Sequence, residues 1–214
     1  MLPAEPSRNC LSCECALLAA FAASGAPCPL CLSPLALICA ATLHSSPLAE
    51  AVHALKYEGG VELASVLARY LHATAELDPW PGILARLDGI VPVPLHEERL
   101  AERGYNQSLL LANSFARGTG IPVMVGALAR VRSTPSQVGL QARDRVANVK
   151  DAFSAVPDFV LGKRLLLVDD VSTTGSTMSE CAAALRAAGA GGVYGLTLSR
   201  PALREEKLVQ ALDG

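Results

Sequence analysis

Two adjacent carboxylates followed by a run of hydroxyl side chains form the segment best suited to chemistry. Asp169 and Asp170 come directly after four apolar residues, and residues 171–177 read Val-Ser-Thr-Thr-Gly-Ser-Thr. Small residues let the backbone approach a ligand closely, and their hydroxyls can donate to anionic oxygens. Carboxylates accept hydrogen bonds from vicinal hydroxyls or bind a cation. The segment therefore predicts a site for a phosphorylated sugar.

The secondary-structure elements on either side of this segment must hold it in position to contact a ligand. The apolar residues 165–168 suit a strand that is buried on both faces. Beyond the hydroxyls, apolar residues recur at helical spacing up to Gly189, at Met178, Cys181, Ala182 and Leu185. The free N–H groups and dipole at the start of such a helix can bind an anion without a lysine. The alternative is an N-capped turn, which explains Ser172 or Thr174 alone but leaves the carboxylate pair unexplained.

A second anion site is predicted at an arginine pair. Arg99 and Arg103 stand four positions apart in a helical stretch, so they lie on one face. Each guanidinium could grip phosphate oxygens bidentately. The alternative is an ordinary exposed arginine pair.

The cysteines of the N-terminal segment have the spacing of a metal site. Cys10 and Cys13 form one Cys-x-x-Cys pair, and Cys28 and Cys31 form another. Four thiolates would close a structural, tetrahedral zinc site in a module too short to fold on its own apolar core. Cys15 leaves open whether it replaces Cys13, and buried unligated thiols of a degenerate finger are the alternative. We expect a cysteine-rich, zinc-ribbon-like module at residues 1–42 and a second domain at residues 43–214.

Length and composition limit the possible domain organisation and function. The 214 residues can hold one α/β domain and a small appendage. The net charge of −2 and the pI of about 6.1 argue against strong autonomous nucleic-acid binding. The apolar runs are shorter than a membrane span needs, and seven cysteines without a basic leader favour a cytoplasmic protein with thiols or metal. Arg130 and Lys150 are interpreted as parts of a solvated face.

Hydrophobic periodicity predicts alternating helices and strands. Helices are expected at residues 47–56 and 61–77, and through Leu109, Leu110 and Phe115 to Gly118. Strands are expected at residues 89–95, 121–125 and 192–198. A turn is expected at residues 78–82, and a polar, mobile segment at residues 133–148. The second helix should bury one face formed by Leu63, Val66, Leu67 and Tyr70. His44, His53, His72 and His96 are interpreted as structural. The alternation implies a mainly parallel sheet.

Residues 168–177 resemble the phosphoribosyl-pyrophosphate loop of type I phosphoribosyltransferases. Further motifs resemble the ordered landmarks of the ComF-like family, namely residues 55–57 (Leu-Lys-Tyr), 91–95 (Val-Pro-Val-Pro-Leu) and 103–107 (Arg-Gly-Tyr-Asn-Gln), with Gln137, Arg143, Asn148 and Phe153. This resemblance implies an α/β fold with a mainly parallel, type I phosphoribosyltransferase-like sheet flanked by helices. It also implies a small N-terminal cysteine-rich, zinc-finger-like module.

The resemblance also implies a ligand and roles for individual residues. The ligand would be 5-phosphoribosyl 1-pyrophosphate with Mg²⁺, and Asp169 and Asp170 would be the catalytic carboxylates that hold the ribose hydroxyls. The pyrophosphate would lie against Arg99 and Arg103, and Arg143 and Arg145 would belong to a mobile loop that closes over the ligand. The ribose 5-phosphate would be bound by Val171, Ser172, Thr173, Thr174, Gly175, Ser176 and Thr177.

Two hypotheses about function follow from the resemblance. The first is a phosphoribosyltransferase, a glycosyltransferase whose acceptor the sequence does not define. The second is a catalytically silent competence factor or ligand sensor that acts through protein partners. ComF-like proteins are associated with DNA uptake during natural transformation, so the expected partners are a competence helicase and single-strand DNA-handling proteins.

Overall fold

The computed structural model describes residues 34–133 and 149–201. The strands are β1 (Leu37–Leu43), β2 (Gly89–Pro92), β3 (Leu128–Arg130), β4 (Phe153–Ala155), β5 (Arg164–Val171) and β6 (Gly192–Arg200). The helices are α1 (Leu48–Tyr57), α2 (Leu63–Ala75), α3 (Trp80–Leu84), α4 (Glu97–Arg103), α5 (Gln107–Thr119), α6 (Pro157–Val160) and α7 (Ser176–Ala187). The predicted zinc ligands Cys10, Cys13, Cys28 and Cys31, and the predicted loop arginines Arg143 and Arg145, lie outside the described residues.

Four strands form one parallel sheet in the order β1-β6-β5-β2. The expected parallel α/β fold, with helices flanking the sheet, is thus confirmed for the described residues. β3 and β4 form a separate antiparallel pair. The domain boundary predicted between residues 42 and 43 falls inside β1, which pairs with β6 from Leu37 onwards. Residues 37–42 therefore belong to the sheet.

β5 is buried on both faces because its apolar side chains alternate between two cores. Leu165 and Leu167 pack into one core with α7, β3 and β4. Leu166 and Val168 pack into the other with α1, α2 and α5. Burying both faces of a central strand fixes its register, since a shift by one residue would exchange the two sets. The sheet therefore holds the residues that follow Val168 in one defined position.

α7 buries the face that its sequence predicts. Met178, Cys181, Ala182 and Leu185 are all buried. The pKa of Cys181 is raised well above its ordinary value by burial, so its thiol belongs to the core. Gly189, which was expected to stop the helix, adopts a φ of +96°, a conformation natural to glycine.

Three local expectations were wrong in whole or in part. α2 buries Ala64, Leu67 and Leu71, while Val66 and Tyr70 are exposed, so its buried face is rotated from the predicted one. The turn expected at residues 78–82 is confirmed at residues 78–79 but gives way to α3 at Trp80, whose side chain is buried. The strand expected at residues 121–125 is reduced to a single bridge between Val123 and Ile90.

Candidate functional site

Both carboxylates lie at the carboxyl end of β5, where ligands bind in open α/β sheets. The Asp169 side chain turns toward the start of α5. Its Oδ1 atom accepts hydrogen bonds from Ser108 Oγ at 2.7 Å and from the Asp170 amide at 2.9 Å. Asp169 and Asp170 are only 7% and 3% exposed. Buried carboxylates are expensive unless hydrogen-bonded or paired, so this position is specified by its neighbours.

Asp170 is held by different neighbours. Its Oδ1 atom accepts a hydrogen bond from Gln107 Nε2 at 3.3 Å, and its Oδ2 atom forms an ion pair with Lys56 Nζ. Gln107 is itself oriented by Arg103, whose Nη1 donates to Gln107 Oε1 at 2.5 Å. A chain of contacts therefore runs from Lys56 through Asp170 and Gln107 to Arg103.

The two adjacent carboxyl groups have opposite pKa shifts. Burial and the neighbouring charge of Asp170 raise the pKa of Asp169 to about 8. Burial would also raise the pKa of Asp170, but the Lys56 ammonium outweighs it and holds that pKa below its usual range. Near neutral pH, Asp169 therefore carries a proton and Asp170 carries the negative charge of the pair.

Residues 171–177 curve from β5 into α7 and lie around a small cavity of about 20 Å³ together with Asp169 and Met178. Gly175 precedes the helix with a φ of +78°, which a side chain would strain. No side chain caps the helix at Gly175. Thr174 Oγ1 lies 2.6 Å from Ser176 Oγ and accepts from the Ser176 amide at 3.4 Å. The segment thus presents hydroxyls and a helix N-terminus beside the carboxylates.

A larger cavity of about 310 Å³ brings the predicted residues together. Both carboxylates and part of the hydroxyl segment line it, and so do Arg99 and Arg103 of α4. Three of the predicted phosphate residues, Val171, Thr173 and Thr177, therefore share this cavity with the predicted pyrophosphate residues, whereas Ser172, Thr174, Gly175 and Ser176 line the 20 Å³ cavity. An adjoining cavity of about 400 Å³ is lined by Lys56, Tyr57, Gly59, Arg99, Glu102, Arg103 and Tyr105.

α4 and α5 owe their positions to local capping and to two long-range hydrogen bonds. Asn106 Oδ1 caps α5 by accepting from the amides of Ser108 at 2.9 Å and Leu109 at 3.4 Å. Its Nδ2 donates to Val93 O at 3.0 Å, and Tyr105 OH donates to Leu55 O at 2.6 Å. These contacts fix the turn between the two helices, and with it Arg103, Gln107 and Ser108.

Sequence reasoning did not predict which residues of this cavity contact the carboxylates. Lys56, Gln107 and Ser108 contact the carboxylates directly. Two of them stand in the motifs that carry the family resemblance, which was the signal that could have found them. His44, interpreted as structural, also lines the cavity, and its Nδ1 lies 2.9 Å from Ser199 Oγ. Burial and the charge of Lys56 lower the pKa of His44, which keeps it neutral at pH 7.

The interpretation of Arg130 as part of a solvated face was wrong. This arginine is half-buried, lines the 310 Å³ cavity, and stacks over the Phe153 ring at 5.4 Å. Burial and the nearby charge of Arg99 lower its pKa. The antiparallel pairing of β3 and β4 brings Arg130 opposite Phe153, which explains why its side chain lies inward.

No protein-family model matches this chain. The chain is 38% identical to the DNA utilization protein YhgH of Salmonella typhi over 178 residues, which cover 81% of this chain and 78% of that protein. It belongs to the competence protein F and YhgH family. The competence protein F of Haemophilus influenzae is 37% identical over 146 residues, 67% of this chain.

The similarity to these relatives covers most of this chain but not the full length of each relative. The chain spans 63% of the length of the Haemophilus protein, slightly less than two thirds. Among solved structures, the Bacillus subtilis glutamine phosphoribosylpyrophosphate amidotransferase is similar, with 26% identity and a TM-score of 0.41 over 69% of this chain and 27% of that one. Among the described residues, no helix is long and apolar enough to cross a bilayer.

Proposed function

We propose that this protein binds 5-phosphoribosyl 1-pyrophosphate together with Mg²⁺. The observation that carries the proposal is a buried carboxylate pair that shares one cavity with Arg99, Arg103 and part of the hydroxyl segment. A sugar that carries a phosphate at one end and a diphosphate at the other matches this order of hydroxyls, carboxylates and arginines. Two vicinal hydroxyls between the phosphates would meet the carboxylates.

Each end of the ligand would use a different kind of contact. The 5-phosphate would be bound by residues 171–177 and by the N-terminus of α7. The diphosphate would contact Arg99 and Arg103, whose guanidinium groups can each form two charge-assisted hydrogen bonds. The ribose hydroxyls would donate to Asp170, and Asp169, protonated near neutral pH, can both donate and accept.

Mg²⁺ would be bound chiefly by the ligand. Among the described residues, no group of three or more His, Cys, Asp or Glu side chains could hold a metal ion. Asp170 is paired with Lys56 in the protein without ligand, and ribose hydroxyls would occupy it when the ligand binds, so few protein oxygens remain for a cation. Mg²⁺ keeps several waters and commonly binds through substrate phosphates with one or two carboxylates. The residues present fit that mode, in which the ion neutralises the diphosphate.

The reaction class that fits is phosphoribosyl transfer. The bond between the anomeric carbon and the diphosphate oxygen breaks, and the diphosphate leaves with the electron pair. A nucleophile then supplies its lone pair to the anomeric carbon and loses a proton. The charge of Asp170 would stabilise the positive charge that builds on the ribose. The competing proposal, a ligand sensor without catalysis, predicts binding without release of diphosphate, which ³¹P NMR would follow directly.

The relatives support a role in DNA utilization. Their names are competence protein F and DNA utilization protein YhgH. We propose that this chain serves DNA uptake, through a competence helicase and single-strand DNA-handling proteins rather than through tight autonomous DNA binding. A deletion strain complemented with Asp169→Asn/Asp170→Asn tests whether the ligand site is needed. Normal transformation in the deletion strain itself would overturn the uptake role.

The zinc module remains a proposal of its own. Cys10, Cys13, Cys28 and Cys31 would hold one structural Zn²⁺, and elemental analysis of gently purified protein should find about one zinc per chain. A clearly substoichiometric content would overturn this proposal. Cys15→Ser and Cys13→Ser variants would identify which of the two thiols is the ligand, since only the loss of a true ligand should release metal.

Isothermal titration calorimetry with 5-phosphoribosyl 1-pyrophosphate and Mg²⁺ tests whether the protein binds this ligand. We expect binding by the native protein and weakening by about 30-fold or more in Asp170→Asn, because a charged hydrogen-bond acceptor for the ribose is lost. Asp158→Asn, an exposed carboxylate in α6, is the matched control and should bind normally. Absence of binding, or equal affinity in Asp170→Asn, would contradict the proposal.

A further inference from the structure

Lys56 lies where the two cavities meet. It belongs to the last turn of α1 and lines both the 310 Å³ cavity and the adjoining 400 Å³ cavity. Its ammonium is paired with Asp170, and its side chain is 22% exposed while that of Asp170 is 4% exposed. Asp170 is thus nearly buried, while Lys56 is more exposed and lines both cavities. A lysine in this position can contact either space.

The contacts around Asp170 connect the ribose site with the second cavity in two ways. Lys56 pairs with Oδ2, while Gln107 donates to Oδ1 and is itself held by Arg103. Lys56 and Arg103 also line the second cavity together with Arg99. Ribose hydroxyls that donate to Asp170 would enter the same hydrogen-bonding positions that Lys56 and Gln107 occupy. Of these two donors, Lys56 also lines the second cavity, so Lys56 is the one that could turn toward a ligand there.

The second cavity is suited to receive a diphosphate. Three cations and one carboxylate, Glu102, line it, so its local charge is positive. Arg103 lies over the Tyr57 ring at 5.0 Å, which holds the guanidinium at the cavity wall.

We propose that Lys56 is a positioning residue that couples recognition of the ribose to recognition of the diphosphate. Without ligand, its ammonium neutralises Asp170; with ligand, it contacts a diphosphate oxygen while the ribose hydroxyls take its place on the carboxylate. This inference rests on the proposed function. It goes beyond it by giving α1 a direct part in distinguishing a sugar diphosphate from a sugar monophosphate.

The test compares two ligands in each variant. The dissociation constants for 5-phosphoribosyl 1-pyrophosphate with Mg²⁺ and for ribose 5-phosphate are measured in the native protein, Lys56→Met and Lys56→Arg. The expected result is that Lys56→Met lowers the preference for the diphosphate ligand about 20-fold, because a charge-assisted contact is lost for that ligand only. Lys56→Arg should keep most of the preference. Lys163→Met, at the other end of β5, is the matched control and should leave both constants unchanged.

The outcomes separate the inference from the function on which it rests. An unchanged preference in Lys56→Met, or an equal loss of affinity for both ligands, would overturn the coupling role while leaving the proposed function intact. Failure of the native protein to bind either ligand would overturn both. Because removing one partner of a buried pair can destabilise a protein, Lys56→Met/Asp170→Asn is included; it removes both charges, and its preference should also be lower than that of Asp170→Asn alone.

Discussion

The two ends of the candidate site present different kinds of group to an anion. At the end of β5, residues 171–177 present hydroxyls and the N-terminus of α7, and this segment contains no lysine or arginine. Across the cavity, α1 and α4 present Lys56, Arg99 and Arg103. One surface relies on backbone geometry and the other on full charges. The first should therefore be sensitive to conformation and the second to salt.

The two carboxylates between these surfaces are also neutralised in different ways. Asp169 is neutralised by a proton, because burial and its neighbour raise its pKa to about 8. Asp170 is neutralised by Lys56 and remains ionised. Lys56 therefore determines which of the two residues carries the charge. The difference indicates that a ribose would meet one neutral and one charged carboxyl group.

The largest effect on ligand binding is expected from replacing the two arginines of α4. Arg99→Met/Arg103→Met should weaken binding of 5-phosphoribosyl 1-pyrophosphate by about 100-fold, since each guanidinium contributes charge-assisted hydrogen bonds, and should change ribose 5-phosphate binding by only about threefold. The measurement is calorimetric titration with both ligands at low and high salt. Arg69→Met, an exposed arginine of α2, is the control. Equal losses for both ligands would mean that the arginines do not act on the diphosphate.

The proton on Asp169 should appear as a pH dependence of stability. The folded protein keeps this proton up to about pH 8, whereas the unfolded chain releases it near pH 4, so stability falls as pH rises between these values. Between about pH 6 and pH 7.5, the native protein should lose about 2 kcal/mol relative to Asp169→Asn, which cannot titrate. Urea denaturation at both pH values measures this. A constant difference would show that Asp169 is ionised in the fold, and Asp158→Asn should behave like the native protein.

The smallest effect is expected from the backbone of the hydroxyl segment. Gly175→Ala places a side chain at a φ of +78° and should cost about 1 kcal/mol, weakening both ligands about fivefold through a displaced α7 N-terminus. Gly162→Ala is closely matched, because its φ is +72° and an added Cβ likewise meets nothing within 4 Å. It should lower stability without altering affinity. If the two variants bound equally well, the segment would not contact the phosphate.

The sequence allowed prediction of β5, the hydroxyl segment and α7 because these elements are specified by neighbouring residues. A continuous apolar run, small residues and helical spacing follow one another without a gap. α2 was placed correctly but with the wrong face buried. Its true buried face includes Ala64 and Ala68, whose small side chains leave a weak periodic signal beside those of Val66 and Tyr70.

The contacts of the carboxylates could not be predicted in the same way. Gln107 and Asp170 are 63 positions apart, and Ser108 and Asp169 are 61 apart, so the pairing depends on how α5 crosses the end of the sheet. Lys56 approaches Asp170 from a third element. Arg130 was assigned to solvent because no local pattern marks the β3–β4 pairing that carries it inward. Family landmarks identified several of these positions but not their roles.

The most direct test is a structure of the protein with 5-phosphoribosyl 1-pyrophosphate and Mg²⁺. We expect the 5-phosphate against residues 171–177, the ribose hydroxyls at Asp169 and Asp170, and the diphosphate among Arg99, Arg103 and Lys56, with Lys56 withdrawn from Asp170. A ligand bound in the reverse direction, or outside the two adjoining cavities that Lys56 lines, would show that this assignment is wrong.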